Sequence, residues 1–285
     1  MDQIFHATEA GETAQPIGWE PQVNLDPGLC DYLRGSVWLS YVLRHMDWDW
    51  KDLKSHFEKN RCRSGLVYRW RDGKVSPSHS SAAKLADVVP GSLELFRHPL
   101  WELLKNKRMS AKKVRKLVAE YGWKKSPFVA YEFPDVLSYG DPTRDIVPLH
   151  PEDSNALMRR GDIHAFALIL ALTREAEANR RNDDHMLYIA DLYRTIPALG
   201  KLPHFQPYLG MLNDMIFTLQ YHVWYTVFMV GVDWPLIIDQ IESDEFDTRR
   251  RRIDRHQMTP ENRIHCDPVI HGNILAAKSI PYVKC

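Results

Sequence analysis

Between residues 35 and 89, apolar side chains recur at the three-to-four spacing that places them on one face of a helix. Val37, Trp38, Tyr41 and Val42 form such a face over residues 35–44, behind a Ser36 cap. Asp47 or Asp49 is placed to cap a second helix over 50–58, whose Trp50, Leu53 and Phe57 make one stripe. After a polar break at 59–62, residues 63–71 predict a third helix with Val67 and Trp70 inward. Asp72-Gly73 stops it, with Gly73 as a left-handed cap. Ser76-Pro77-Ser78 then opens a fourth helix over 79–89, with Ala82, Leu85, Ala86 and Val89 inward, and Pro90-Gly91 ends it. Four short helices in so few residues predict a compact bundle.

The periodicity continues beyond it. Val114, Leu117, Val118 and Tyr121 form an apolar stripe on a helix whose other face is rich in Lys and Arg. Residues 126–152 carry Pro127, Pro134, Gly140, Pro142 and Pro148 without sustained periodicity and predict a linker. Residues 153–179 predict a long helix with Ile163, Phe166, Ala167, Leu170 and Ala171 inward, and 184–193 a further one. Residues 209–232 are strongly apolar and predict one buried core or dimer helix, ended by Asp233-Trp234-Pro235. The last thirty residues predict an irregular tail placed to wrap another subunit. The expected fold class is mainly α: an N-terminal helix-turn-helix bundle joined to a second all-helical domain.

Charge changes this picture. The 285 residues carry equal numbers of cationic and anionic side chains, 37 of each. They are segregated: residues 1–30 hold five acids and no Lys or Arg, residues 31–125 hold 21 Lys and Arg against 10 Asp and Glu, and residues 126–285 hold 16 against 22. A basic middle segment suits a module that neutralises phosphates, with a solvated helical surface as the alternative. The predicted organisation is an acidic arm (1–30), a basic DNA-binding domain (31–125), a linker (126–152), a helical domain for dimerisation or ligand sensing (153–242) and a polar tail (243–285). Cys30, Cys62, Cys266 and Cys285 show no Cys-x-x-Cys pair, which predicts free thiols in a reducing compartment. With no apolar run suited to a bilayer and no positive-then-apolar N-terminus, the expected location is the cytoplasm.

The run Val67-Tyr68-Arg69-Trp70-Arg71-Asp72-Gly73-Lys74-Val75-Ser76-Pro77-Ser78, continued by Ala83-Lys84-Leu85-Ala86, resembles the Cro and phage-repressor (XRE-like) helix-turn-helix family. The resemblance covers about residues 47–92. It implies a third helix that reads bases, a buried Trp near its end, a Gly that closes it, and a Pro-Ser opening of the next helix. It also implies a bacterial or phage transcription regulator. Upstream the sequence departs: Lys54 stands near the position where the family keeps a small residue, and the turn is longer.

With Val67 and Trp70 inward, Ser64, Gly65, Tyr68 and Arg69 point away from the bundle, flanked by Arg61, Arg63, Arg71 and Lys74. These eight form the predicted DNA surface. Arg69 or Arg63 has the fork that reads guanine O6 and N7, Lys74 suits a phosphate, and Tyr68 either faces the groove or packs. Residues 101–121 supply a second basic element that either follows a phosphate backbone, binds RNA, or is a solvated face.

His164, His185, His204 and His222, with Asp162, Asp183, Asp184 and Asp191, supply groups for acid–base or metal chemistry, but no catalytic motif orders them. Satisfied polar residues are the better explanation. His265, Cys266 and His271 offer three ligand types without a fourth. No catalytic residue, metal or cofactor is therefore assigned. Three readings stand: a sequence-specific regulator of double-stranded DNA, expected as a homodimer with a small-molecule effector possible but unnamed; an enzyme or defence-type effector carrying a helix-turn-helix as targeting module; and a protein-interaction module without DNA binding.

Overall fold

The computed structural model describes residues 28–59, 65–121, 157, 162–223, 229–232, 234–242 and 270–273. The chain is mainly helical, as the periodicity predicts. Its elements in order are α1 (Leu29–Met46), α2 (Trp50–Lys59), α3 (Leu66–Arg71), α4 (His79–Leu85), α5 (Ser92–Phe96), α6 (Leu100–Leu103), α7 (Ala111–Tyr121), α8 (Ile163–Ala178), α9 (Asn182–Gly200), α10 (Leu209–Gln220), β1 (Met229–Val232), α11 (Trp234–Glu242) and β2 (Ile270–Asn273).

Two apolar cores meet along α1 and α5. Trp38, Leu39, Val42, Leu53, Phe57, Val67, Trp70, Ala82, Leu85, Val89 and Phe96 fill the first, which α1–α5 enclose. The opposite face of α1, with Cys30, Leu33 and Val37, joins Leu95, α6 and α7 in a second core that continues through α8, α9 and α10. Residues 100–118 thus share a core with the C-terminal helices. The predicted linker at 126–152 lies outside the described residues, as do residues 1–27 of the predicted arm.

Several elements differ from expectation. Helix α1 begins at Leu29, so Ser36 lies inside it rather than capping it. Burial of Cys30 and Leu33 extends the helix toward the N-terminus, and Gly35 sits where a Cβ would fall 2.6 Å from Pro77 Cδ. Helix α8 starts at Ile163, where the Asp162 carboxylate accepts the Ala165 N–H at 2.8 Å, rather than at 153. It is buried all around from Ala165 to Glu177, so its inward side is not one stripe. Helix α9 runs past the predicted end at 193, through Pro197 to Gly200. Buried Ile196 and Leu199 hold this last turn despite the backbone bond that proline removes.

The predicted single helix over 209–232 is instead α10 followed by β1. Apolarity alone does not distinguish a buried helix from a buried strand, and Val223, Thr226, Val227, Val230 and Val232 are β-branched. Trp234-Pro235 opens α11 instead of ending a helix, because proline is compatible with a first turn. β1 pairs antiparallel with β2 in the register Met229↔Asn273 to Val232↔Ile270. At those four positions the predicted irregular tail is a strand of its own chain's ribbon. The C-terminal part is therefore, among the described residues, helical with a two-stranded ribbon. Among the described residues, no helix is long and apolar enough to cross a membrane.

Candidate nucleic-acid interface

The local sequence sets α2 and α3 against each other. Asp47 closes α1 in the left-handed region at φ 52°, and Asp49 caps α2, its Oδ1 accepting Lys51 N–H at 2.6 Å and Asp52 N–H at 2.9 Å. Asp52 reciprocates by accepting the Asp49 N–H at 3.0 Å. These hydrogen bonds hold the Asp49 carboxyl below its usual range. Leu53 and Phe57 then face the core, where Phe57 meets Trp70 edge-on at 5.1 Å and Trp38 meets Trp70 at 6.4 Å.

Of the eight predicted DNA-surface residues, Arg61, Arg63 and Ser64 lie outside the described residues. Gly65 is not part of a third helix starting at 63. It adopts φ 58° and immediately precedes α3, since a left-handed residue interrupts right-handed helical geometry. Val67 and Trp70 are buried as expected, at 3% and 4% exposure. Arg69 is exposed on the opposite side, and no described carboxylate pairs with it.

Tyr68 is half-buried. Lys54 Nζ stands 5.0 Å from its ring centroid and Arg71 Cζ 5.2 Å, so the ring links α2 to α3. Lys54 thus rests on an aromatic face. Arg71 and Lys74 converge on Asp72: Arg71 Nη2 lies 2.8 Å and Lys74 Nζ 3.4 Å from its carboxylate, whose pKa is lowered chiefly by the Arg71 hydrogen bond. Gly73 closes α3 at φ 66°, and the Lys74 N–H donates to Arg69 O at 2.9 Å. Ser78 caps α4 by accepting the Ser81 N–H at 3.2 Å.

The predicted second basic element is α7 with the loop before it. Lys107, Arg108, Lys112, Lys113 and Lys116 are exposed, while Val114 and Val118 are buried. Arg115 leaves that face, donating to the buried Glu175 at 2.9 and 3.0 Å.

Sequence reasoning missed what lies beneath the loop. Arg174, fully buried on α8, pairs with Glu177 at 2.8 Å and donates to the carbonyls of Lys107 and Lys105. Its Nη1 is 2.8 Å from His222 Nδ1. The same Nδ1 lies 3.2 Å from Glu177 Oε1, and an amide oxygen only accepts, so Nε2 donates to Asn106 Oδ1 at 2.6 Å. Arg108 Nη2 donates to His222 O at 2.9 Å. The signal in the sequence was Arg174-Glu175-Ala176-Glu177 at the end of an otherwise apolar helix.

His185 is buried nearby with no described hydrogen-bond partner at either ring nitrogen, and burial, with His222 and Arg174 adding to it, pushes its pKa down to about 3. The other titratable residues singled out from sequence do not converge here. His164 Nδ1 lies 3.1 Å from buried His98 Nε2. His204 stacks edge-on against Tyr41, with a pKa lowered by burial to about 4. Asp184 pairs with Arg181, and Asp191 with Arg194. Asp183 is exposed. His265 and Cys266 lie outside the described residues. No group of three or more described His, Cys, Asp or Glu is placed to hold a metal. Both nitrogens of His222 are engaged and Arg174 and Glu177 neutralise each other, so this network fastens the loop at 105–108 to α8 and to the end of α10. Compared with protein-family models, with curated proteins and with solved structures, the chain matches none.

Proposed function

We propose that this chain binds double-stranded DNA in a sequence-specific manner through α3 and regulates transcription, with the C-terminal helices serving dimerisation or effector sensing. One observation carries the reading. Val67 and Trp70 lock α3 into the bundle from one side, which leaves Arg69 exposed and unpaired with any described carboxylate on the other. A guanidinium so placed has the geometry for a bidentate contact to guanine, worth about 1–3 kcal/mol of discrimination.

The test is selection of purified protein on a pool of random duplex DNA near physiological salt, followed by sequencing of what is retained. Enrichment of one motif is the expected result, and a palindromic motif adds a dimer. Arg69→Ala is expected to weaken the selected site more than random DNA, whereas Lys74→Ala weakens both alike. Equal losses for the two variants remove Arg69 from base reading.

A protein-interaction module is the second reading. The Asp72 carboxylate favours it, because it occupies Arg71 and Lys74 at the end of the reading helix. Absence of any retained DNA supports this alternative.

A further inference from the structure

The face built from the 105–108 loop and α7 is charged in a way that the α3 reading does not use. Residues 104–118 contain seven Lys or Arg and no Asp or Glu. The structure sorts these cations. Lys105 contacts Glu102, and Arg115 turns inward to Glu175. Lys107, Arg108, Lys112, Lys113 and Lys116 stay at the surface, and no described carboxylate pairs with Lys107, Lys112 or Lys113.

The loop that presents them is anchored from below. Arg174 donates to the Lys107 and Lys105 carbonyls, His222 to the Asn106 side chain, and Arg108 to the His222 carbonyl. Buried Val114 and Val118 fix the rotation of α7, so that Lys112, Lys113 and Lys116 share its outer side. Clustered like charges cost a fold self-repulsion, and an anchored loop cannot relieve it by spreading. A regularly charged anion relieves it.

We propose that this face is a second, sequence-independent docking surface for the phosphate backbone of duplex DNA, separate from α3. The inference rests on the DNA-binding reading. Each lysine set on a phosphate releases condensed counterions, so its signature is the salt dependence of binding rather than sequence preference.

The experiment compares the full chain with Lys107→Gln/Lys112→Gln/Lys113→Gln on random-sequence duplex DNA at several salt concentrations. All three side chains are exposed, so far-UV circular dichroism is expected to match the parent, and the melting midpoint to equal or exceed it because three mutually repelling charges are removed. Loss of three phosphate contacts is expected to flatten the slope of log K against log salt by about 2.7. That is about a 40-fold smaller loss of affinity over a fourfold rise in salt. The motif preference should be unchanged.

A correctly folded triple variant with the parent's slope overturns the proposal, even if motif selection succeeds. A flattened slope without any motif preference supports this surface and removes base reading by α3. A slope that flattens on single-stranded RNA but not on duplex DNA overturns it in favour of an RNA surface.

Discussion

Asp72 decides how much of the α3 charge is available to a partner. Its carboxylate holds both Arg71 and Lys74, and exposed, solvent-screened ion pairs of this kind contribute little to stability. They compete with a phosphate for the same cations. Asp72→Asn is therefore expected to tighten binding to random duplex DNA and steepen its salt slope, with little change in melting temperature. An unchanged slope means that neither Arg71 nor Lys74 reaches the backbone. The inward placement of Val67 and Trp70 was legible because helical spacing assigns faces. The partners of Arg71, Tyr68 and Lys54 were not, because side chains on one surface choose among several neighbours that spacing does not rank. Arg174 lay further out of reach. A buried guanidinium satisfied by carbonyls of a loop some 70 residues upstream has no local pattern.

At the scale of elements, local chemistry was legible where short-range hydrogen bonds decide. Gly73 closes α3, Asp49 caps α2 and Ser78 caps α4, each at the position its residue type suggested. Ser78→Ala is expected to lower unfolding free energy by about 1 kcal/mol, read by urea denaturation, because the Ser81 N–H loses its acceptor. A loss well below this would mean that solvent replaces the cap. Long-range burial decided the rest. The start of α1 depends on Cys30 and Leu33 meeting α6 and the C-terminal helices, and Cys30 shows how completely: its thiol donates to Trp101 O at 2.8 Å, and burial pushes its pKa up to about 12. Likewise, the strand beyond α10 pairs with residues 270–273, some forty positions away. Amphipathic periodicity contains no trace of such a partner.

Across the whole molecule, α1 and α5 contribute to both cores, so the charge boundary near residue 125 is not a packing boundary. This bears on how the chain responds to acid. His185 is buried beside Arg174 and His222 with no described partner for either ring nitrogen, and its folded pKa is held near 3. In the unfolded chain an imidazole titrates near its ordinary value of about 6.5. Above that value both states are neutral, and His185 places no pH-dependent load on the fold. As pH falls from about 6.5 toward 3, the unfolded chain takes up a proton that the folded chain refuses, so stability declines through that window. If the whole shift is expressed, the loss is on the order of 5 kcal/mol. Buried His98, held neutral beside His164, adds in the same direction. Urea midpoints measured from pH 7 down to 4.5 are expected to fall steadily in the parent chain and less steeply in His185→Leu, which keeps the volume and removes the proton site. Parallel curves for the two proteins would shift the acid sensitivity to the other histidines. A flatter curve would assign that part of the acid sensitivity to His185, whose protonation sets a second buried cation against Arg174.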